Sequence, residues 1–203
     1  MLAVAALGVS GWLLFRDGSG EHSPLAADVD PNEAVAEFDP RNNARAAVAQ
    51  IHAAALDDPD GLRRVGLEHA NSSEAEVRWA ALYALSLVVE PGDNESIQAL
   101  HGALESADLD ERLAAAGGLV ASGEASALPV LIELLASSET TSYVRIPAWR
   151  VARGLLLANT SEDFGLRAAE DAPTAASTAP AWESWWQDRG ATLAWHPAEG
   201  RFQ

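Results

Sequence analysis

The sequence contains no cysteine and no lysine. Without cysteine there is no disulfide framework, no thiolate zinc site, no iron–sulfur cluster and no cysteine nucleophile. All 13 basic residues are arginine, and 30 Asp and Glu residues give a formal net charge of −17. Broad contact with a phosphate backbone depends on clustered Lys and Arg, so we expect no nucleic-acid partner.

Sequence motifs that carry catalytic chemistry are also missing. The chain has no G-x-S-x-G, no G-x-x-x-x-G-K-[ST] and no G-x-G-x-x-G, and none of its five histidines forms H-E-x-x-H. We therefore predict no catalytic residue, no cofactor and no metal site, and a protein that is not an enzyme.

The first 15 residues form an apolar run that Arg16 and Asp17 end. As a helix it would rise about 22 Å, short of the ~30 Å hydrocarbon core of a bilayer. Its length suits the core of a signal peptide, but no basic segment precedes it and no A-x-A site follows it. The pattern favours a signal anchor over residues 1–16. A cleaved signal peptide, a start codon assigned too late and a buried helix of the globular domain are the alternatives.

Residues 17–39 are rich in Asp, Glu and Pro and are predicted to form an acidic linker. A flank with so little positive charge disfavours a cytoplasmic location. We expect a chain anchored in the membrane through residues 1–15, with its main domain outside the cytoplasm, in the periplasm or another extracytoplasmic space. A cleaved, secreted form is the alternative.

The middle of the chain repeats. Four arginines are spaced 33, 34 and 33 residues apart: Arg45, Arg78, Arg112 and Arg145. Small or apolar residues mostly occupy the third and seventh positions after each arginine, on one helical face. Second apolar segments follow at residues 61–70, 94–107 and 125–138, and Ser73 and Asn94 are plausible helix N-caps. A short helix pair cannot bury both its faces alone, so we predict about four stacked pairs over residues 40–190.

The best-formed repeat resembles a known family. Its matching residues are Glu74, Val77, Arg78, Ala81, Ala84 and Leu85. The pattern D/E-x-x-V-R-x-x-A-x-x-A-L resembles bacterial HEAT-like repeats of the type named after phycobilisome lyases. The resemblance implies an all-α, right-handed short solenoid, in which the arginine is structural and reaches an acidic side chain of an adjacent repeat. Pro147 departs from it and either kinks the fourth unit or marks its first helical turn. Gly117 and Gly118 also depart from it and would let a neighbouring helix approach closely.

The end of the chain resembles the ending of many bacterial HEAT-repeat proteins. The matching residues are Thr160, Asp163, Phe164 and Gly165, followed by the W-x-x-W-W motif of Trp182, Trp185 and Trp186. The three tryptophans fall on one face of a helix, where we expect them to cap the last repeat. An exposed aromatic platform is the alternative. Residues 191–203 are predicted to form a small hairpin-like tail packed on this cap.

Together these features favour a non-catalytic protein-binding scaffold or adaptor at a membrane surface. Its concave face would contact another protein of the cell envelope. Trp149 and Arg150 are candidate partner contacts, because Trp149 interrupts the small-residue pattern and Arg150 adds local positive charge; a core Trp with a solvated Arg is the alternative. The competing function is a lyase-like enzyme or assembly factor related to HEAT-repeat chromophore lyases, which would require a deep pocket with convergent ionisable groups.

Overall fold

The computed structural model describes residues 58–143 and 145–203. In this part of the chain seven α-helices follow one another: α1 Pro59–His69, α2 Ala75–Val88, α3 Asn94–Ala103, α4 Leu109–Ala121, α5 Leu128–Leu134, α6 Ala148–Asn159 and α7 Ala172–Arg189. A two-stranded antiparallel hairpin, β1 Trp195–His196 and β2 Arg201–Phe202, follows them. The predicted N-terminal anchor, the acidic linker and Arg45 lie outside the described residues.

The helices alternate between two stacked layers. In one layer α2 contacts α4, and α4 contacts α6; in the other α1 contacts α3, and α5 contacts α7. The pairs α2/α3, α4/α5 and α6/α7 are therefore three successive repeat units, and α1 occupies the place of the second helix of a preceding unit. This mostly helical stack, with its small C-terminal hairpin, is consistent with an all-α solenoid. In the described part of the chain, no helix combines the length and apolar character needed to cross a bilayer.

The predicted small-residue face is the seam between the stacked helices. The third residues after the repeat arginines of the three units, Ala81, Ala115 and Ala148, are each 0% exposed. Helices α2 and α4 approach closely at Gly118 of α4, where an added Cβ would lie 2.8 Å from the Cα of Ser86 on α2. Such a separation leaves no room for a side chain, so glycine at this position is required by the approach of the two helices.

Aspartates begin four of the described helices. Their carboxylates accept backbone N–H bonds in the first turn, and the capping residues are Asp58, Asp93, Asp108 and Asp171. Acidic caps satisfy unpaired N–H groups and complement the helix dipole, which accounts for part of the negative charge. The predicted N-caps Ser73 and Asn94 are each wrong by one residue. Asp93 caps α3 because its carboxylate takes the N–H of Ser96, and α2 has Glu74 at its N-cap with no side-chain bond.

A serine turn precedes the first helix of each unit. The hydroxyls of Ser72, Ser106 and Ser137 accept the N–H of the residue two positions later, at 3.1–3.2 Å. Helices α2 and α4 begin three residues after their serine, whereas α6 begins eleven residues after Ser137. In the fourth sequence repeat, which forms the unit α6/α7, a loop therefore replaces the first turns of the helix.

Pro147 determines where this loop ends. It is the N-cap residue of α6, so the second of the two sequence-based alternatives, a proline at the start of the helix, is the one observed. Thr140 and Pro147 form an isolated antiparallel bridge across the loop. Arg145 lies before the helix, exposed and with a φ of 54°, whereas Arg78 and Arg112 lie inside α2 and α4. The equal spacing of the arginines thus conceals a different local structure in the fourth unit.

The C-terminal aromatic residues form a compact cluster on α7. Trp182 is 0% exposed, and its ring meets Phe164 and Trp185 edge-on at centroid distances of 5.1 and 5.5 Å. In the hairpin, Phe202 is 1% exposed and packs against Trp195. Helix α7 contacts α5 and α6, so this aromatic cluster lies against the last repeat units.

Candidate protein-binding surface

Both tyrosines of the chain stack with one tryptophan. Trp79 lies 4.1 Å from Tyr143 between ring centroids, with an interplanar angle of 14°. On the same helix Tyr83 lies 5.6 Å from Trp79, at 11°. Tyr143 is 36% exposed, and Trp79 and Tyr83 are half-buried. We call these three residues the aromatic stack; it joins α2 of one repeat to the loop that precedes α6, two repeats later.

Asp110 positions the loop that carries Tyr143. Its Oδ2 accepts the N–H of Ser142 at 2.7 Å, and its Oδ1 accepts the N–H of Tyr143 in a longer contact of 3.5 Å. The residue is only 4% exposed. Burial raises the pKa of Asp110, and the two N–H donors offset part of that rise. The loop is therefore held by its backbone, which leaves the Tyr143 ring available for stacking.

A neighbouring ion pair ties α2 to α4. Arg78 Nε and Nη2 both lie 2.8 Å from Oε1 of Glu111, and Ser106 donates its hydroxyl to Oε2 at 2.7 Å. The remaining Arg78 nitrogen, Nη1, donates to the carbonyl of Ser72 at 2.7 Å. The hydrogen bond to Glu111 raises the pKa of Arg78. This network fixes the helix that carries Trp79 relative to the next repeat.

Arg112 occupies the equivalent position one repeat later without such a partner. Its Nε is buried and has no hydrogen-bond partner among the residues that the structure describes. The residue one repeat beyond Glu111 in the aligned sequence is Val144, so the carboxylate that Arg78 uses has no counterpart there.

Negative charges act on Tyr143, the most exposed member of the aromatic stack. Burial raises the pKa of Tyr143, and the negative charges of Asp108, Glu76, Asp110 and Glu111 raise it further. Glu76 is exposed and Asp108 is half-buried. An aromatic face with carboxylates beside it attracts cationic groups, because the ring quadrupole and the charges act in the same direction.

Trp149 does not lie on this surface. It is 5% exposed and belongs to the main core, which agrees with the sequence-based alternative of a core tryptophan beside a solvated arginine. Exposed Arg150 has its Cζ 5.6 Å from the Trp149 ring centroid. Of the C-terminal tryptophans, Trp182 is buried and the other two, Trp185 and Trp186, are half-buried against the core.

A cleft of about 370 Å³ lies between the end of α7, the hairpin and the turn after α6. Its lining residues are Ser161, Glu162, Trp185, Arg189, Leu193 and Gln203. It is widely open to solvent and places one carboxylate and one guanidinium beside a half-buried indole. In residues 58–143 and 145–203, no group of three or more His, Asp or Glu side chains is arranged to hold a metal ion.

Sequence reasoning missed Trp79 and Tyr143. The spacing of Trp79 and Tyr83 at i and i+4 places both rings on one side of α2, which was a usable signal. Nothing in the sequence indicated Tyr143, because the contact that Asp110 makes with this loop is to its backbone N–H groups.

One comparison with known proteins bears on the repeats. A family model for HEAT repeats matches residues 65–152, from within α1 to within α6. The match covers the units α2/α3 and α4/α5, and it therefore includes Trp79 and Tyr83 on α2. No curated protein and no solved structure matches the chain.

Proposed function

We propose that this chain, with HEAT repeats over residues 65–152, is a non-catalytic protein-binding scaffold or adaptor. HEAT repeats form extended surfaces that bind other proteins. The observation that carries the proposal is the aromatic stack, in which Tyr143 is 36% exposed on a loop held in place by a buried carboxylate. We assign the partner-binding surface to this stack and the carboxylates beside it.

Three features of the stack favour binding over a purely structural role. Tyr143 and Phe164 are the large apolar side chains with substantial exposure among the described residues. Tyrosine and tryptophan are enriched among the residues that contribute most to binding energy at interfaces. The loop is already ordered by Asp110, so a partner would meet a rigid ring and lose little conformational entropy on binding.

We further propose that the scaffold works at a membrane surface outside the cytoplasm and that its partner is another envelope protein. The apolar run of residues 1–15 and the scarcity of positive charge around it support this placement. Cell fractionation with an antibody against the repeat domain tests it. We expect recovery with the membrane fraction, or outside the cell if the run is cleaved, and recovery entirely in the soluble cytoplasm would contradict the proposal.

Site-specific photo-crosslinking tests the binding surface in the full chain. A photoreactive phenylalanine derivative replaces Tyr143, and in a matched control it replaces Phe164, which is 38% exposed in a different region. We expect one dominant protein product from position 143 in the native cells, lost when Trp79→Leu removes the stacking partner. Identical products from both positions, or none from position 143, would refute this surface as the site of binding.

A further inference from the structure

The Tyr143 ring stacks on Trp79 while the residue stays 36% exposed. Trp79 covers one face of the ring at 4.1 Å, nearly parallel. Because Trp79 occupies this face, the 36% exposure of Tyr143 comes from the rest of the residue. The stack of Tyr83, Trp79 and Tyr143 thus ends in a flat surface on which one further planar group can continue the series.

Two of the four carboxylates whose charges act on Tyr143 are fully used, and the other two keep oxygens that accept no hydrogen bond from the residues that the structure describes. Glu111 is bound by Arg78 and Ser106, and both oxygens of Asp110 are used by the loop backbone. Asp108 uses only Oδ1 to cap α4.

Glu76 is the second available carboxylate. It is exposed and forms no ion pair with any residue that the structure describes. The negative charges of Asp108 and Glu76 both act on the Tyr143 side chain. Each carboxylate keeps at least one oxygen that accepts no hydrogen bond from the residues that the structure describes.

We propose that this site binds an arginine side chain of the partner protein. This inference rests on the proposed protein-binding function and names the chemistry of the contact. A guanidinium is planar and weakly hydrated, so it stacks on an aromatic face while its N–H groups reach carboxylates at the edge. A lysine ammonium lacks the planar face and holds its hydration more strongly. The chain's net charge of −17 also favours approach of a basic segment.

Positive charges of the chain itself also affect how strongly a guanidinium binds at this site. Arg78 is neutralised by Glu111. Arg145, two residues after Tyr143, is exposed and forms no ion pair with the described residues. It would repel an incoming guanidinium or compete with it, so Arg145→Gln is expected to strengthen binding of a cationic peptide.

Binding of defined peptides to the full chain tests the proposal. The probe is a fluorescent Gly/Ser peptide that carries spaced arginines, compared by anisotropy with peptides carrying lysine or citrulline at the same places. We expect the arginine peptide to bind most tightly, the citrulline peptide to bind negligibly, and added salt to weaken the arginine complex. Equal binding of the arginine and citrulline peptides would overturn the proposal.

Variants localise the contact. Tyr143→Leu should weaken the binding of the arginine peptide about fivefold, which corresponds to a cation–π contact near 1 kcal/mol. Tyr143→Phe keeps the aromatic ring and should bind the peptide about as tightly as the wild type. Glu76→Gln should weaken it about twofold. Phe164→Leu is the matched control and should change nothing, with circular dichroism verifying that each variant folds. An equal effect of Tyr143→Leu and Phe164→Leu would refute the assignment.

The crosslinking experiment separates this inference from the proposed function. If position 143 crosslinks a partner but the arginine peptide does not bind, the arginine contact is wrong and the protein-binding function stands. If position 143 crosslinks no partner, both are refuted.

Discussion

The guanidinium of Arg78 reaches across one repeat to the carboxylate of Glu111, 33 residues later, with two nitrogens 2.8 Å from the same oxygen. The Glu111 side chain is 3% exposed, so its charge depends on Arg78 and on the hydroxyl of Ser106 for compensation. Removal of Arg78 would therefore leave the Glu111 charge in a place that water barely reaches.

Arg78→Met should therefore lower the free energy of unfolding by about 2–3 kcal/mol. This is less than the loss for a fully buried pair, because the Arg78 side chain keeps 30% exposure. Urea unfolding followed by circular dichroism measures it. Arg112→Met is the matched control, since Arg112 has no ion pair with the described residues, and it should cost less than about 0.5 kcal/mol. Equal losses for the two variants would contradict the structural importance of the Arg78 pair.

The adjacent glycines of α4 should respond oppositely to alanine. Gly118→Ala places a Cβ 2.8 Å from the Cα of Ser86 and 2.9 Å from Leu100 Cδ1, and it should cost about 1–3 kcal/mol. At Gly117 the nearest atom, Leu155 Cδ1, is 3.4 Å away, so Gly117→Ala should stabilise the helix by about 0.5–1 kcal/mol. Thermal unfolding of both variants provides the test. Destabilisation by Gly117→Ala of the same size as by Gly118→Ala would contradict the difference in packing.

The stability of the fold should carry a pH dependence from Asp110. Burial raises the folded-state pKa of Asp110 above the usual 3.8. Its contribution to stability is therefore fully present below pH 3.8 and is lost as the pH rises through the folded-state pKa. Asp110→Asn cannot titrate, so its stability relative to the wild type should rise from acidic to neutral pH. Urea unfolding of dilute protein across this range measures the difference, and a flat or falling difference would contradict the raised pKa.

Asp171 provides a control of opposite sign. Hydrogen bonds from Thr174 lower the pKa of Asp171, so its contribution is present above the unfolded-state value of 3.8 and is lost as the pH falls. The stability of Asp171→Asn relative to the wild type should therefore fall as the pH rises from acidic to neutral. Two aspartate variants with opposite slopes cannot arise from a general effect of net charge.

Trp182 should be the most costly of the C-terminal tryptophans to replace. It is 0% exposed, so Trp182→Ala should cost about 3–5 kcal/mol. Its Nε1 is buried without a hydrogen-bond partner among the described residues, so Trp182→Phe loses ring volume but no hydrogen bond and should cost only about 1–2 kcal/mol. Trp186 is half-buried, so Trp186→Ala should lower the free energy of unfolding by less than Trp182→Ala does. Denaturant unfolding ranks the three variants, and a cost for Trp186→Ala equal to that for Trp182→Ala would contradict the observed burial.

Helical periodicity predicted the repeats because burial follows it closely. The positions seven residues after the arginines, Leu85, Leu119 and Ala152, are each 0% exposed, although the helix of the fourth unit starts late. The buried positions of the fourth unit keep their spacing from the repeat arginine even though its first helical turns are missing. The alignment of the repeats detects this spacing and not where the helix begins. The start of α6 depends on Pro147 and on a loop whose contacts lie outside the repeat pattern.

The part of the proposed binding surface that Tyr143 forms could not be predicted for a related reason. Trp149 attracted attention because of its size, but the equivalent residues of the earlier units, Leu82 and Ala116, are 1% and 0% exposed. A large residue at that position fills the core. Tyr143 reaches Trp79 because Asp110 binds two backbone N–H groups, and backbone groups leave no trace in the sequence.

That backbone attachment has a consequence for how the surface can diversify. Every residue except proline supplies an N–H, so the side chains at positions 142 and 143 can change while Asp110 still holds the loop. The core lies mainly in the repeat helices, whereas Tyr143 is exposed on the loop. On the proposed binding surface, substitutions at the tip of this loop alone would therefore change which partner is bound, without a redesign of the core.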